Sequence, residues 1–201
     1  MNNNSINQNG VLGQKPNKLL QLIWPRVKPS GGFLDLGCGQ GRDSLFAAKY
    51  GFKVTAVDQS KININKIKQY LKQNNHLKDA IELFCEDIKD FNIEKDRYQI
   101  INAFNSLQFL EKNEALAIIQ KMKEALKKDS FVIIAGFTKD DPLYQIPANQ
   151  HRCFFEPGEL KRLFSDFEII LYEEKLIDDH GHVGYEEPHQ HGVVRLVAQK
   201  N

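Results

Sequence analysis

The 201-residue sequence predicts an α/β protein built on a doubly wound, mostly parallel sheet with helices on both faces. Three observations carry that expectation. From residue 31 onward, short β-branched or apolar runs alternate with amphipathic helical patterns. A loop with glycines at alternate positions, Gly37, Gly39 and Gly41, follows the first of those runs. The last two strand-like runs are joined by a polar connection too short for a crossover helix, so they should pair antiparallel.

Taken in order, "PNKLLQLIW" (16–24) reads as a helical stretch beside the glycine loop. "FLDLG" (33–37), "KVTAVD" (53–58), "IELFCED" (81–87), "YQIINAF" (98–104) and "FVIIAGF" (131–137) read as strands buried on both faces. Gly51 stands where the helix after the glycine loop should stop. Ser60 can cap a helix whose apolar positions Ile64, Ile67 and Leu71 recur at intervals of three and four, and its lysine-rich remainder reads as a solvated face. A further helix runs from Asn113 with Leu116, Ile119, Met122 and Leu126 on one stripe. "EPGELKRLF" places Pro157 at a first helical position, and "FEIILYEEKLI" (167–177) and "GVVRLVAQK" (192–200) form the closing pair. The division expected is a flexible polar tail over 1–14 and a single domain over 15–201.

Composition narrows the function classes. Lys and Arg total 27 against 26 Asp and Glu, a net charge of +1, which argues against a general attraction to nucleic acid or to an anionic membrane and leaves only a local patch open. No apolar run approaches the roughly 20 residues of a membrane span. "MNNNSINQNG" lacks the basic and apolar regions of a signal peptide. Cys38, Cys85 and Cys153 are odd in number and far apart, which reads as three free thiols in a reducing cytoplasm.

The glycine loop excludes two ligands by its chemistry. A triphosphate-binding loop needs a Lys after its last glycine, and here Arg42 and Asp43 follow Gly41. The dinucleotide fingerprint places its third glycine one residue later, and Asp35 sets a carboxylate where a pyrophosphate would approach. A cationic or zwitterionic ligand suits the site better. The D-x-G-x-G-x-G pattern at Asp35–Gly41 resembles motif I of class I S-adenosylmethionine-dependent methyltransferases.

The resemblance narrows to the tellurite-resistance methyltransferase branch over roughly residues 30–200. It is carried by "LDLGCGQGRDSLFAAKYGFKVTAVD", "FFEPGELKRLFSDFEIILYEE" and "HQHGVVRLVAQK". It implies a Rossmann-like seven-stranded sheet whose last strand is antiparallel, and S-adenosylmethionine as cofactor with S-adenosylhomocysteine as product. The binding set it implies begins with Asp35, Gly37, Cys38, Gly39, Gln40, Gly41 and Arg42 of the loop. Asp58 would hold the ribose, with Gln59 next to it in the set, Asp87 with Ile88 would meet the adenine, and Ala103 lies at the end of the fourth strand. The chain departs from its relatives at Gln108, where they commonly carry His, and at Ala103, where they carry Ser.

The expected acceptor is a small molecule: a chalcogen oxyanion such as tellurite or selenite, or alternatively a small thiol or other metabolite. A non-catalytic S-adenosylmethionine-binding protein is the remaining alternative. His151 and Arg152, with His189 and His191 near the last strand, are the candidate catalytic groups on the substrate side. His180, His182, His189 and His191 fall within a dozen residues, and H-x-H in an extended segment puts both rings on one face. Gly181, Gly184 and Pro188 mark a loop there, and no metal is assigned. "DPLY" (141–144) faintly resembles an element of amino-group DNA methyltransferases, but it follows the fifth strand and lacks the second proline, so it is set aside.

Overall fold

The computed structural model describes residues 15–181 and 186–201; the expected tail, His182 and Gly184 lie outside the described residues. By its internal contacts the chain divides after Phe91 into two compact units.

The first unit holds α1 (Lys18–Ile23), β1 (Gly32–Leu36), α2 (Arg42–Lys49), β2 (Lys53–Val57), α3 (Lys61–Gln73) and β3 (Ile81–Phe84). Its three strands are parallel, and their registers align Leu36 with Val57 and Val57 with Phe84. All three chains therefore leave the sheet at one edge, and the loops that follow begin side by side. Phe33, Leu34, Leu36, Val54, Ala56 and Val57 are buried, as strands covered on both faces must be. Helix α3 begins where Ser60 accepts from the Asn63 N–H, and it buries Ile64, Ile67 and Leu71 on one stripe. Helix α2 ends at Tyr50, with Gly51 at φ 94° beyond it. Trp24 packs edge-on against Phe46 and Tyr50, which joins the stretch after α1 to α2.

The second unit holds β4 (Tyr98–Phe104), α4 (Lys112–Ala125), β5 (Leu126–Thr138), β6 (Phe154–Phe155), α5 (Glu159–Leu163), β7 (Glu168–Asp179) and β8 (His189–Gln199). Strands β4 and β5 are parallel, and the two-residue β6 adds to β5 in the same sense. Strand β8 runs antiparallel to both β5 and β7, between which it lies. It is the last strand in the chain, so the antiparallel member is the one expected.

Several boundaries differ from the sequence expectation. The 81–87 run stops as a strand at Phe84, leaving Asp87 and Ile88 in the turn beyond. Leu126 does not continue the α4 stripe: its ψ of 135° ends the helix, and it opens β5. Pro157 is not the first residue of α5, which starts at Glu159 behind Gly158 in a left-handed conformation of φ 71°. Strand β8 begins at His189, three residues earlier than the apolar run that announced it. Among the described residues no helix is long and apolar enough to cross a membrane.

Candidate functional site

In the first unit the glycine loop is a continuation of β1 into α2. The N–H groups of Gly37 and Cys38 both donate to the Val57 carbonyl, at 2.8 and 2.9 Å, which ties the loop to the end of β2. Gly37, Gly39 and Gly41 all have positive φ, 73°, 55° and 83°, a conformation that side chains bearing a Cβ rarely adopt. An added Cβ at Gly39 would meet nothing within 4 Å, so the bare backbone there faces open space. At Gly41 it would lie 2.8 Å from Ile67 Cγ1, and this glycine therefore sets how closely α2 and α3 can approach.

Carboxylates hold this loop from below. Asp58, just after β2, accepts from the Gly39 N–H at 2.8 Å, from the Ser60 N–H at 2.9 Å and from Asn63 Nδ2 at 3.2 Å. A carboxylate has about four lone-pair positions, so its acceptor capacity is not exhausted. Asp35 is buried and accepts from Ser44 Oγ at 2.6 Å. Burial, reinforced by Asp35 and Asp58, pushes the Cys38 thiol well above its ordinary range and keeps it neutral. Arg42 forks onto Asp43 with two contacts of 3.0 Å, while Asp43 also accepts from the N–H and side chain of Asn17, the residue that caps α1. Gln40 lies within the loop. Gln59 is exposed beside Asp58, Asp87 is half-buried with Oδ1 accepting from the Lys89 N–H at 3.2 Å, and Ile88 is buried. Eleven of the twelve expected cofactor-side residues thus belong to the first unit; Ala103, buried on β4, belongs to the second.

The second unit has its own cavity of about 240 Å³, lined chiefly by Gln108, Phe137, Asn149, Arg152, Phe154 and His191. Gln108 is buried, and its Oε1 has no hydrogen-bond partner among the described residues. An orphaned buried amide of this kind costs about 1–3 kcal/mol unless something fills its place. Phe137 stacks on the His191 ring at 4.8 Å with planes 10° apart. Of the four substrate-side candidates, Arg152 and His191 line the cavity, His189 Nε2 stands 2.9 Å from His191 Nε2, and His151 lies exposed outside the lining.

Sequence reasoning missed Asp141, the first residue of the dismissed "DPLY" stretch. It is completely buried and accepts from His191 Nδ1 at 2.9 Å, from the Gly192 N–H at 3.1 Å and from the Leu143 N–H at 2.8 Å. Its one local signal is Asp before Pro142, a turn-initiating pair. Cys153 is buried under this region, and burial raises its thiol to about 12, so it supplies no thiolate near neutrality.

The family described as tellurite resistance protein TehB matches residues 24–184 of the chain. A relative from Haemophilus influenzae, named a probable S-adenosyl-L-methionine-dependent methyltransferase TehB, is 31% identical over 148 residues, covering 73% of this chain and 49% of that protein. A carboxy-S-adenosyl-L-methionine synthase from Glaesserella parasuis is 25% identical over 134 residues, covering 64% of this chain and 54% of that protein. The chain therefore spans about half the length of these curated relatives. The crystal structure of TehB from Haemophilus influenzae superposes with a TM-score of 0.75 at 26% identity, covering 91% of this chain and 61% of that one. The fold is accordingly Rossmann-like α/β, with a mostly parallel sheet flanked by helices.

Proposed function

The chain belongs to the tellurite resistance protein TehB family, and on that premise we propose that it is an S-adenosylmethionine-dependent methyltransferase for a small chalcogen oxyanion such as tellurite or selenite. The observation that supports this most is the glycine loop: three left-handed glycines after β1, with the Gly39 N–H held on Asp58. The residues present fit the cofactor. Asp35 and Asp58 favour its positive amino group, and the open space over Gly39 lets backbone approach the amino-acid moiety. When bound, the cofactor supplies an electrophilic methyl group on its sulfonium.

Every other contribution comes from the chain. Asp58 uses its remaining acceptor capacity for a ribose hydroxyl while fixing the loop. Asp87 accepts from the adenine amino group, and Ile88 covers the ring. The acceptor is assigned to the cavity of the second unit, whose volume of about 240 Å³ is below the roughly 300–1,000 Å³ of pockets for drug-sized ligands. Arg152 holds an oxyanion there, and Phe137 and Phe154 exclude water. A chalcogen lone pair needs no strong general base, so positioning supplies most of the rate. No nucleic acid or membrane partner enters this reading, and the three free thiols suit a cytosolic site.

Two further readings follow from particular features. The phenylalanine side chains of the lining also accept a small thiol. Gln108, whose amide cannot shuttle a proton, favours a cofactor-binding protein that does not turn over.

The deciding measurement is S-adenosylhomocysteine release with tellurite, selenite and a panel of small thiols, alongside calorimetric cofactor binding. Turnover on the oxyanions alone supports the proposal. Release only with thiols, or tight cofactor binding with no release, replaces it with the corresponding alternative.

A further inference from the structure

Strands β7 and β8 set three metal-ligating side chains together. Their antiparallel register puts Asp179 directly opposite His189, and His191 lies two residues further along the same face of β8. One ligand atom from each of Asp179, His189 and His191 falls within 4.8 Å of the others.

The hydrogen bonds of the two rings make this more than proximity. His189 Nδ1 stands 2.8 Å from the Glu187 carbonyl oxygen, which can only accept, so this nitrogen carries its hydrogen. His191 Nδ1 stands 2.9 Å from Asp141 Oδ2. That carboxylate already accepts from two backbone N–H groups, so this nitrogen also donates. In neutral rings both Nε2 atoms then bear lone pairs, and these two atoms face each other at 2.9 Å. Two lone pairs at that distance repel unless a proton or a metal ion lies between them. Two imidazole nitrogens on a tetrahedral zinc ion at about 2.0–2.1 Å are themselves about 3.3 Å apart, so a few tenths of an ångström of opening admit a metal.

We propose that Asp179, His189 and His191 form a binding site for a divalent first-row transition metal such as zinc. Asp141 orients His191 from behind, and the Glu187 carbonyl does the same for His189, the arrangement that fixes the tautomer of metal-ligating histidines. Two imidazoles and one carboxylate leave at least one coordination position open. Because His191 also lines the cavity, the metal puts positive charge on one wall of it, where an anion would be drawn. Gly192 makes room for this: a Cβ there would lie 2.5 Å from the Asp141 backbone nitrogen and 2.6 Å from Thr138 Oγ1. The metal site does not depend on the methyl-transfer reading.

The test is direct titration of the untagged full chain with Zn²⁺ by calorimetry and with Co²⁺ by visible absorption, without cofactor or acceptor present. One equivalent of each is expected to bind, with cobalt giving the ligand-field bands of a site of low coordination number. His189→Gln, a half-exposed position that leaves the core intact, should weaken binding by more than about 100-fold. Asp141→Asn, a change behind His191 and outside the proposed metal ligands, should weaken it by about 10- to 100-fold while the cobalt bands persist. Absence of binding to the parent chain, or binding equally tight in His189→Gln and Asp179→Asn, would overturn the proposal; the first result would mean that the paired nitrogens share a proton instead.

Discussion

Asp58 does two jobs with one carboxylate. It holds Gly39 and the first turn of α3, and in the proposed function it also accepts from the ribose. A hydrogen bond to a charged group contributes about 1.5–3 kcal/mol. Asp58→Ala should therefore weaken cofactor binding by about 10- to 100-fold in a calorimetric titration. Near-normal affinity would show that the ribose is held by other groups. The thiols give a second check at this scale. At neutral to mildly alkaline pH only the exposed Cys85 should react promptly with a disulfide reagent, and Cys38 and Cys153 only on unfolding. The Cys153 thiol titrates near 12 when folded and near 8.5 when unfolded. Between those values the unfolded chain has lost a proton that the folded chain keeps, so stability falls as pH rises, by up to about 1.4 kcal/mol per pH unit. Denaturant midpoints from pH 8.5 to 11 should fall less steeply in Cys153→Ala than in the parent.

At the scale of elements, the strand and helix pattern of the first unit was legible because parallel strands buried on both faces read as continuous apolar runs. Ser60 as a cap and Gly51 as a stop were legible for the same local reason. What escaped were features decided by partners distant in sequence. Leu126 has the right spacing for the α4 stripe, yet the chain turns there to pair with Tyr98. Asp141 is 50 residues from His191, and nothing in "DPLY" announces that meeting. His189 was legible as a site residue, but Asp179 was not, because their opposition depends on the β7–β8 register. The closeness of β8 to the turn after β5 gives a test. Gly192→Ala forces a methyl group into the Asp140–Asp141 backbone and should cost about 1–3 kcal/mol in denaturant unfolding. A neutral result would mean that this turn yields freely and that Asp141 is not rigidly placed.

At the scale of the whole molecule, binding of cofactor or product to the folded chain alone must raise its stability. At a concentration 100 times Kd the gain is about 2.7 kcal/mol. For a chain of 201 residues that corresponds to a rise of roughly 5–10 °C in Tm. S-adenosylhomocysteine should produce such a rise in a thermal melt, and a chain that does not hold the cofactor will show none. The ladder of the second unit ends on β7, whose sequence EIILYEEKLIDD carries five carboxylates and a single lysine. A terminal strand offers its backbone to any other extended segment. Another molecule adding itself there in the same way would bring acidic rows against each other, so electrostatic repulsion along this rim protects the chain from growing into fibrous aggregates.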